Sequence, residues 1–114
     1  MNEPIGDRIV PRHYVIHGAG AVGGSMGALL ARSGCRVTLV ARPAVVGAIQ
    51  ARGGISLVTG GEETIVPLGA VTSIDQVSPD AGTRLFLCMK AGDLLPALPP
   101  ARAALGESVP AVTW

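Results

Sequence analysis

The chain has 114 residues, enough for one domain and too few for two. Hydrophobic residues are 48% and charged ones 15%, the reverse of the balance that keeps a segment unfolded. Nine Lys and Arg against eight Asp and Glu leave a net charge of +1, too weak a field to grip a phosphate backbone or an anionic bilayer, so neither nucleic acid nor membrane is expected as a partner.

Taken from the start, residues 1–13 read as a loose leader before a domain spanning 14–114. Tyr14, Val15, Ile16 and His17 form a short apolar run that ends in glycine, as a buried strand does. A helical pattern follows to about Gly34, with Val22, Met26, Leu29 and Leu30 on one face. Residues 36–40 are rich in β-branched types and read as a second strand. Pro43 suits the first turn of a helix that runs to about Arg52 and stops at Gly53 and Gly54. Residues 55–59 and 64–68 read as a hairpin joined through 60–63. Ser73 to Gln76 has the S-x-x-Q form of a capping box, which predicts a brief helix. A strand is expected at 84–89, then a helix capped by Asp93 with Leu94, Leu98, Ala101 and Leu105 on one face, kinked or divided by Pro99 and Pro100. A last strand begins near Ser108 and leaves the sheet incomplete at its C-terminal end. This alternation predicts an α/β, Rossmann-type parallel sheet with helices on both faces and one small inserted hairpin.

The stretch from Tyr14 to Ala31 imitates a signal peptide, but Gly18, Gly20, Gly23, Gly24 and Gly27 make a poor apolar helix, so a cytoplasmic protein is expected. Cys35 and Cys88 lack CxxC spacing or histidines to complete a zinc site; they read as buried thiols, with no metal expected.

Gly18, Ala19, Gly20, Ala21, Val22 and Gly23 form a G-x-G-x-x-G between a predicted strand and helix. In that setting the first glycine permits the tight turn, the second lets a diphosphate reach the backbone, and the third brings helix and sheet together. The free N–H groups of the first helical turn then face the anion. At the end of the second strand, where a carboxylate would hold the ribose of NAD, stand Val40, Ala41 and Arg42. A guanidinium there favours the 2′-phosphate of NADP(H). Lys90, the chain's sole lysine, follows the strand expected at 84–89, where it can touch cofactor or substrate or remain a solvated charge. His17 is expected to pack beside the turn, and no residue is assigned as catalytic.

Over residues 14–114 the sequence resembles the ketopantoate reductase family, through four segments: the glycine turn with its preceding strand, residues 37–42, residues 88–91 and residues 111–114. The resemblance implies reduction of 2-dehydropantoate to pantoate by NADPH, on the way to pantothenate and coenzyme A, with Arg42 near the 2′-phosphate and Lys90 near cofactor and substrate. In the family a Gln-Asn-Gly turn and a helical domain bearing the general-acid lysine and a substrate-holding glutamate come next. None of these stands before Trp114, so the chain reads as the cofactor-binding half of a two-domain enzyme that takes a small 2-oxo acid. Two other readings stay open: another NADP-dependent hydroxyacid dehydrogenase, and a non-catalytic NADP(H)-binding module or remnant that meets a partner through the open sheet edge near Trp114.

Overall fold

The computed structural model describes residues 12–18, 21–80, 82–106 and 109–113. Its elements are β1 (His13–His17), α1 (Ala21–Arg32), β2 (Arg36–Val40), α2 (Pro43–Arg52), β3 (Ile55–Thr59), β4 (Glu62–Val66), β5 (Gly69–Val71), a 3-10 turn (Ile74–Gln76), β6 (Thr83–Leu87), α3 (Ala91–Leu105) and β7 (Ala111–Thr113). Five strands form one parallel sheet in the order β5-β2-β1-β6-β7, and β3 and β4 pair antiparallel as a separate ribbon. Successive side chains on a strand point to opposite faces, so apolar runs on the central strands bury both faces. Val15, Leu85 and Leu87 lie in one core with Ala101 and Leu105 of α3. Ile16, Val37 and Leu39 lie in the other with Ile49 of α2 and Met26 and Leu30 of α1. Helices cover both faces, as the sequence predicts.

The first strand starts earlier than expected, at His13, which is 1% exposed. A buried imidazole needs partners at both nitrogens, and the flanking strands supply them. Nδ1 lies 3.2 Å from Thr83 Oγ1 and Nε2 lies 2.9 Å from Thr38 Oγ1. The rest of the leader, to residue 11, lies outside the described residues.

Leu29 departs from the apolar face expected for α1: it is 46% exposed. Instead α1 turns Gly23 and Gly27 to the sheet. A Cβ on Gly27 would stand 3.0 Å from Leu39 Cδ2 and 3.2 Å from Ile16 Cδ1. The contact stripe therefore includes small residues that set helix and sheet close together, with Met26 and Leu30 packed beside them and Leu29 outside it. Cys35 and Cys88 are only partly buried, at the margin of this core.

The hairpin turn is shorter than read: Thr59 pairs with Glu62, leaving Gly60 and Gly61 as a two-residue turn with φ of 60° and 85°. Positive φ at both central positions is the backbone that matches the twist of paired strands, and glycine adopts it freely. A strand that sequence reasoning missed, β5, pairs with β2 through only three residues. The capping box is present, but it opens a single 3-10 turn, with Gln76 Oε1 accepting from the Ser73 N–H at 3.0 Å. The strand read at 84–89 is β6, one residue earlier at its start and two shorter at its end.

Helix α3 is a single element rather than a divided one, the alternative to a kink, and it begins at Ala91 with Lys90 rather than Asp93 as its N-cap. Pro96, Pro99 and Pro100 all sit on its exposed side. The carbonyls they leave without a helical donor, on Gly92, Leu95 and Pro96, belong to exposed residues that water can serve. The opposite face carries Leu94, Leu98, Ala101 and Leu105 against the sheet, as expected. Ser108 and Trp114 lie outside the described residues, while β7 occupies one edge of the sheet beside β6.

Candidate nucleotide site

Gly18 ends β1 with φ +92°, a backbone that L side chains rarely adopt. Its N–H donates to the Val40 carbonyl at 3.1 Å, and the Cys88 N–H donates to the His17 carbonyl at 2.8 Å, so the turn is tied to both neighbouring strands. A Cβ on Gly18 would lie 2.9 Å from the Cys88 carbonyl oxygen. Gly23 is less severely confined, since a Cβ there would lie 3.1 Å from the Gly18 carbonyl and 3.3 Å from Ile16 Cγ2. The first and third glycines thus have the turning and close-packing roles expected of them. Ala19 and Gly20 lie outside the described residues, and Ala21 and Val22 open α1.

A cleft of about 880 Å³ opens at the carboxyl ends of β1, β2, β5 and β6, and brings Gly18, Arg42 and Lys90 together with His17, Thr72 and Asp93. In a parallel sheet this is the end where helix N-termini and strand ends converge, and the volume suits a cofactor. Arg42 and Lys90 hold equivalent posts. Each is the extended N-cap of a helix, with φ and ψ of −66° and 153° for Arg42 and −65° and 153° for Lys90, and neither side chain caps its helix. Both are exposed, and neither is paired with a described residue; the ion pair among those residues joins Arg36 to Asp80 at 3.4 Å, far along the chain from the glycine turn. The first turn of α2 contains no acidic residue, so its positive dipole end adds to the cleft's cationic character.

Sequence reasoning missed Thr72 in this cleft because the strand that delivers it, β5, is too short to show a period. Asp93 was read only as a cap, whereas it lies in the first turn of α3 and lines the cleft.

Burial lowers the pKa of His17 and raises that of the Cys88 thiol, so both favour neutral forms. His13 is also lowered, chiefly by burial and then by Arg36, with Asp80 opposing. For both histidines the unfolded ring binds a proton more readily than the folded one. Stability from this source is complete above the ordinary histidine pKa of about 6.5 and is lost as pH falls below it. The denaturation midpoint is therefore expected to be lower at about pH 5.5 than at about pH 7.5, with a flatter slope in His17→Leu; urea titrations at the two pH values measure both.

The family model described as Ketopantoate reductase PanE/ApbA matches residues 14–113. A curated 2-dehydropantoate 2-reductase of Mesorhizobium japonicum is 38% identical over 99 residues, covering 86% of this chain and 29% of the relative. The solved structure of a PanE/ApbA family ketopantoate reductase from Ralstonia eutropha aligns with a TM-score of 0.76 at 33% identity, over 89% of this chain and 34% of the other. That of 2-dehydropantoate 2-reductase from Porphyromonas gingivalis aligns at 0.73 and 26% identity, over 89% of this chain and 37% of the other. The chain thus spans about a third of the length of these relatives. With the family model running from the first strand to the last, this chain belongs to the ketopantoate reductase family.

Proposed function

We propose that this chain binds NADP(H) as the nucleotide-holding part of an enzyme that reduces 2-dehydropantoate to pantoate. The observation that carries the reading is the meeting, in one cleft at the strand ends, of the Gly18 turn with two cations at helix N-cap positions, Arg42 and Lys90, whose side chains no described residue engages. The residues fit the cofactor: Gly18 turns the chain at the end of β1 with φ +92°, on the cleft that Arg42 also lines, and Arg42 offers a planar fork to a 2′-phosphate.

The chemistry that NADPH supplies when bound is delivery of a hydride to a carbonyl carbon. This chain's own residues hold and orient. The N-terminal end of α1 and the Gly18 turn receive the diphosphate, Arg42 selects the phosphorylated ribose, and Lys90 supplies a cationic N–H to a substrate carboxylate or ketone oxygen. Reduction also needs a proton on that oxygen from a donor within hydrogen-bond reach. Among the described cleft residues Lys90 alone offers a charged ammonium, and the 114 residues alone are expected to turn over little or no 2-dehydropantoate. Calorimetric titration tests the nucleotide assignment: NADPH should bind at least about tenfold more tightly than NADH, the equivalent of about 1.4 kcal/mol. Equal affinities, or no binding of either, would remove it.

A further inference from the structure

We infer that His17 is a positioning residue of this cleft, donating a hydrogen bond from Nε2 to a diphosphate oxygen of the bound dinucleotide; the inference rests on the NADP(H) reading above. Among the described residues, His17 Nδ1 is the buried side-chain nitrogen or oxygen that lacks any hydrogen-bond partner. The contrast with His13, four residues earlier on the same strand, is direct, because both nitrogens of that ring are partnered. Leaving a buried polar atom unpaired works against folding, and an aliphatic residue such as the neighbouring Ile16 would avoid the problem. The remaining ring nitrogen, Nε2, is the one available to a ligand, since His17 lines the cleft beside Gly18.

The location of the proton follows. Burial disfavours the imidazolium, so the free ring is neutral and has one N–H. A proton on Nδ1 would be an enclosed donor with nothing to receive it. Held on Nε2, it is a donor on a residue that lines the cavity and directly precedes Gly18. The other ionisable groups facing the cleft are Arg42 at the start of α2, Lys90 and Asp93 at the start of α3, and Cys88 after β6. Two of these are cations that attract the anion, and the thiol stays neutral because burial raises its pKa. An anion at Nε2 offsets part of the burial cost of the imidazolium, whose Nδ1–H is unpaired with or without ligand, so binding raises the His17 pKa from its lowered value.

The test uses the full chain and NADP⁺, which carries the same diphosphate and withstands mild acid. The two imidazoles are titrated by NMR with and without NADP⁺, and affinity is measured calorimetrically at about pH 5.5 and 7.5 for the wild type, His17→Leu and His17→Gln. Bound NADP⁺ should raise the pKa of His17 and leave that of His13 unchanged. His17→Leu should weaken binding about three- to tenfold at pH 7.5, with a gap that widens toward pH 5.5. His17→Gln retains an N–H donor and should recover part of the affinity without the pH-dependent gain. Denaturation midpoints show whether His17→Leu is folded; if it is not, the NMR titration of the wild type and the His17→Gln affinities decide. An unmoved His17 pKa in the bound wild type, or variants that bind with the wild-type strength and pH profile, would overturn the inference while leaving the NADP(H) reading in place. Failure of the wild type to bind NADP⁺ would overturn both.

Discussion

Arg42→Ala should weaken NADPH binding by about 1.5–3 kcal/mol, roughly 10- to 150-fold, and leave NADH binding almost unchanged. The selectivity follows from what the side chain leaves undone in the free protein. Arg42 makes no capping hydrogen bond to α2, and its structural contribution is its backbone carbonyl, which accepts from Val45 and Val46 at 3.0 Å. Alanine retains that carbonyl, so fold stability should change by no more than about 0.5 kcal/mol. What is lost is a guanidinium at the rim of the cleft, above a helix start with no carboxylate in its first turn. A 2′-phosphate is the part of the cofactor that such a fork distinguishes from a hydroxyl. Paired titrations of both nucleotides with both proteins measure the effect. An equal loss for NADPH and NADH would mean that Arg42 acts as a general positive charge.

Most of the scaffold was legible because its signals are local. A β-branched run, a proline at a helix start and glycines at helix ends each fix a boundary through their own backbone chemistry, and β2 and α2 fall where these place them. What escaped depends on contacts distant in sequence. The three residues of β5 are held by register with β2, and without β5 Thr72 could not be placed in the cleft. Leu29 was misplaced because periodicity weights large side chains, whereas the face of α1 against the sheet is defined by the glycines that allow close approach. The prolines of α3 suggested a division for a related reason: each removes a donor and crowds the carbonyl four residues back, and that all three stand on the exposed side of one continuous helix is not written in spacing. Gly18, Arg42 and Lys90 were found by their positions at strand ends, and the cleft gathers all three. His17 was legible as a residue beside the turn, but its unpaired nitrogen is visible only in three dimensions.

Gly18→Ala should destabilise the chain by about 1–3 kcal/mol and abolish measurable nucleotide binding. Two costs coincide at this position: φ is +92°, and the new methyl group would stand 2.9 Å from the Cys88 carbonyl oxygen and 3.1 Å from its carbon. Those are main-chain atoms of the segment following β6, not the tip of a side chain that could swing aside. Neither can the turn move, because the Gly18 N–H bonds to the Val40 carbonyl and the His17 carbonyl receives the Cys88 N–H. Relief of the clash must therefore break a ladder bond or tilt the turn, and a tilted turn no longer presents its backbone to a diphosphate. Gly47→Ala is the matched control. Gly47 is exposed within α2 and has nothing within 4 Å of an added Cβ, so alanine there should stabilise by about 0.5–1 kcal/mol through helix propensity and leave binding intact. Denaturant titrations give the two opposite shifts. Calorimetry at a temperature where Gly18→Ala remains mostly folded then separates a deformed site from a depleted native population. If the folded Gly18→Ala protein bound NADPH at full strength, the diphosphate would have to lie somewhere other than against this turn.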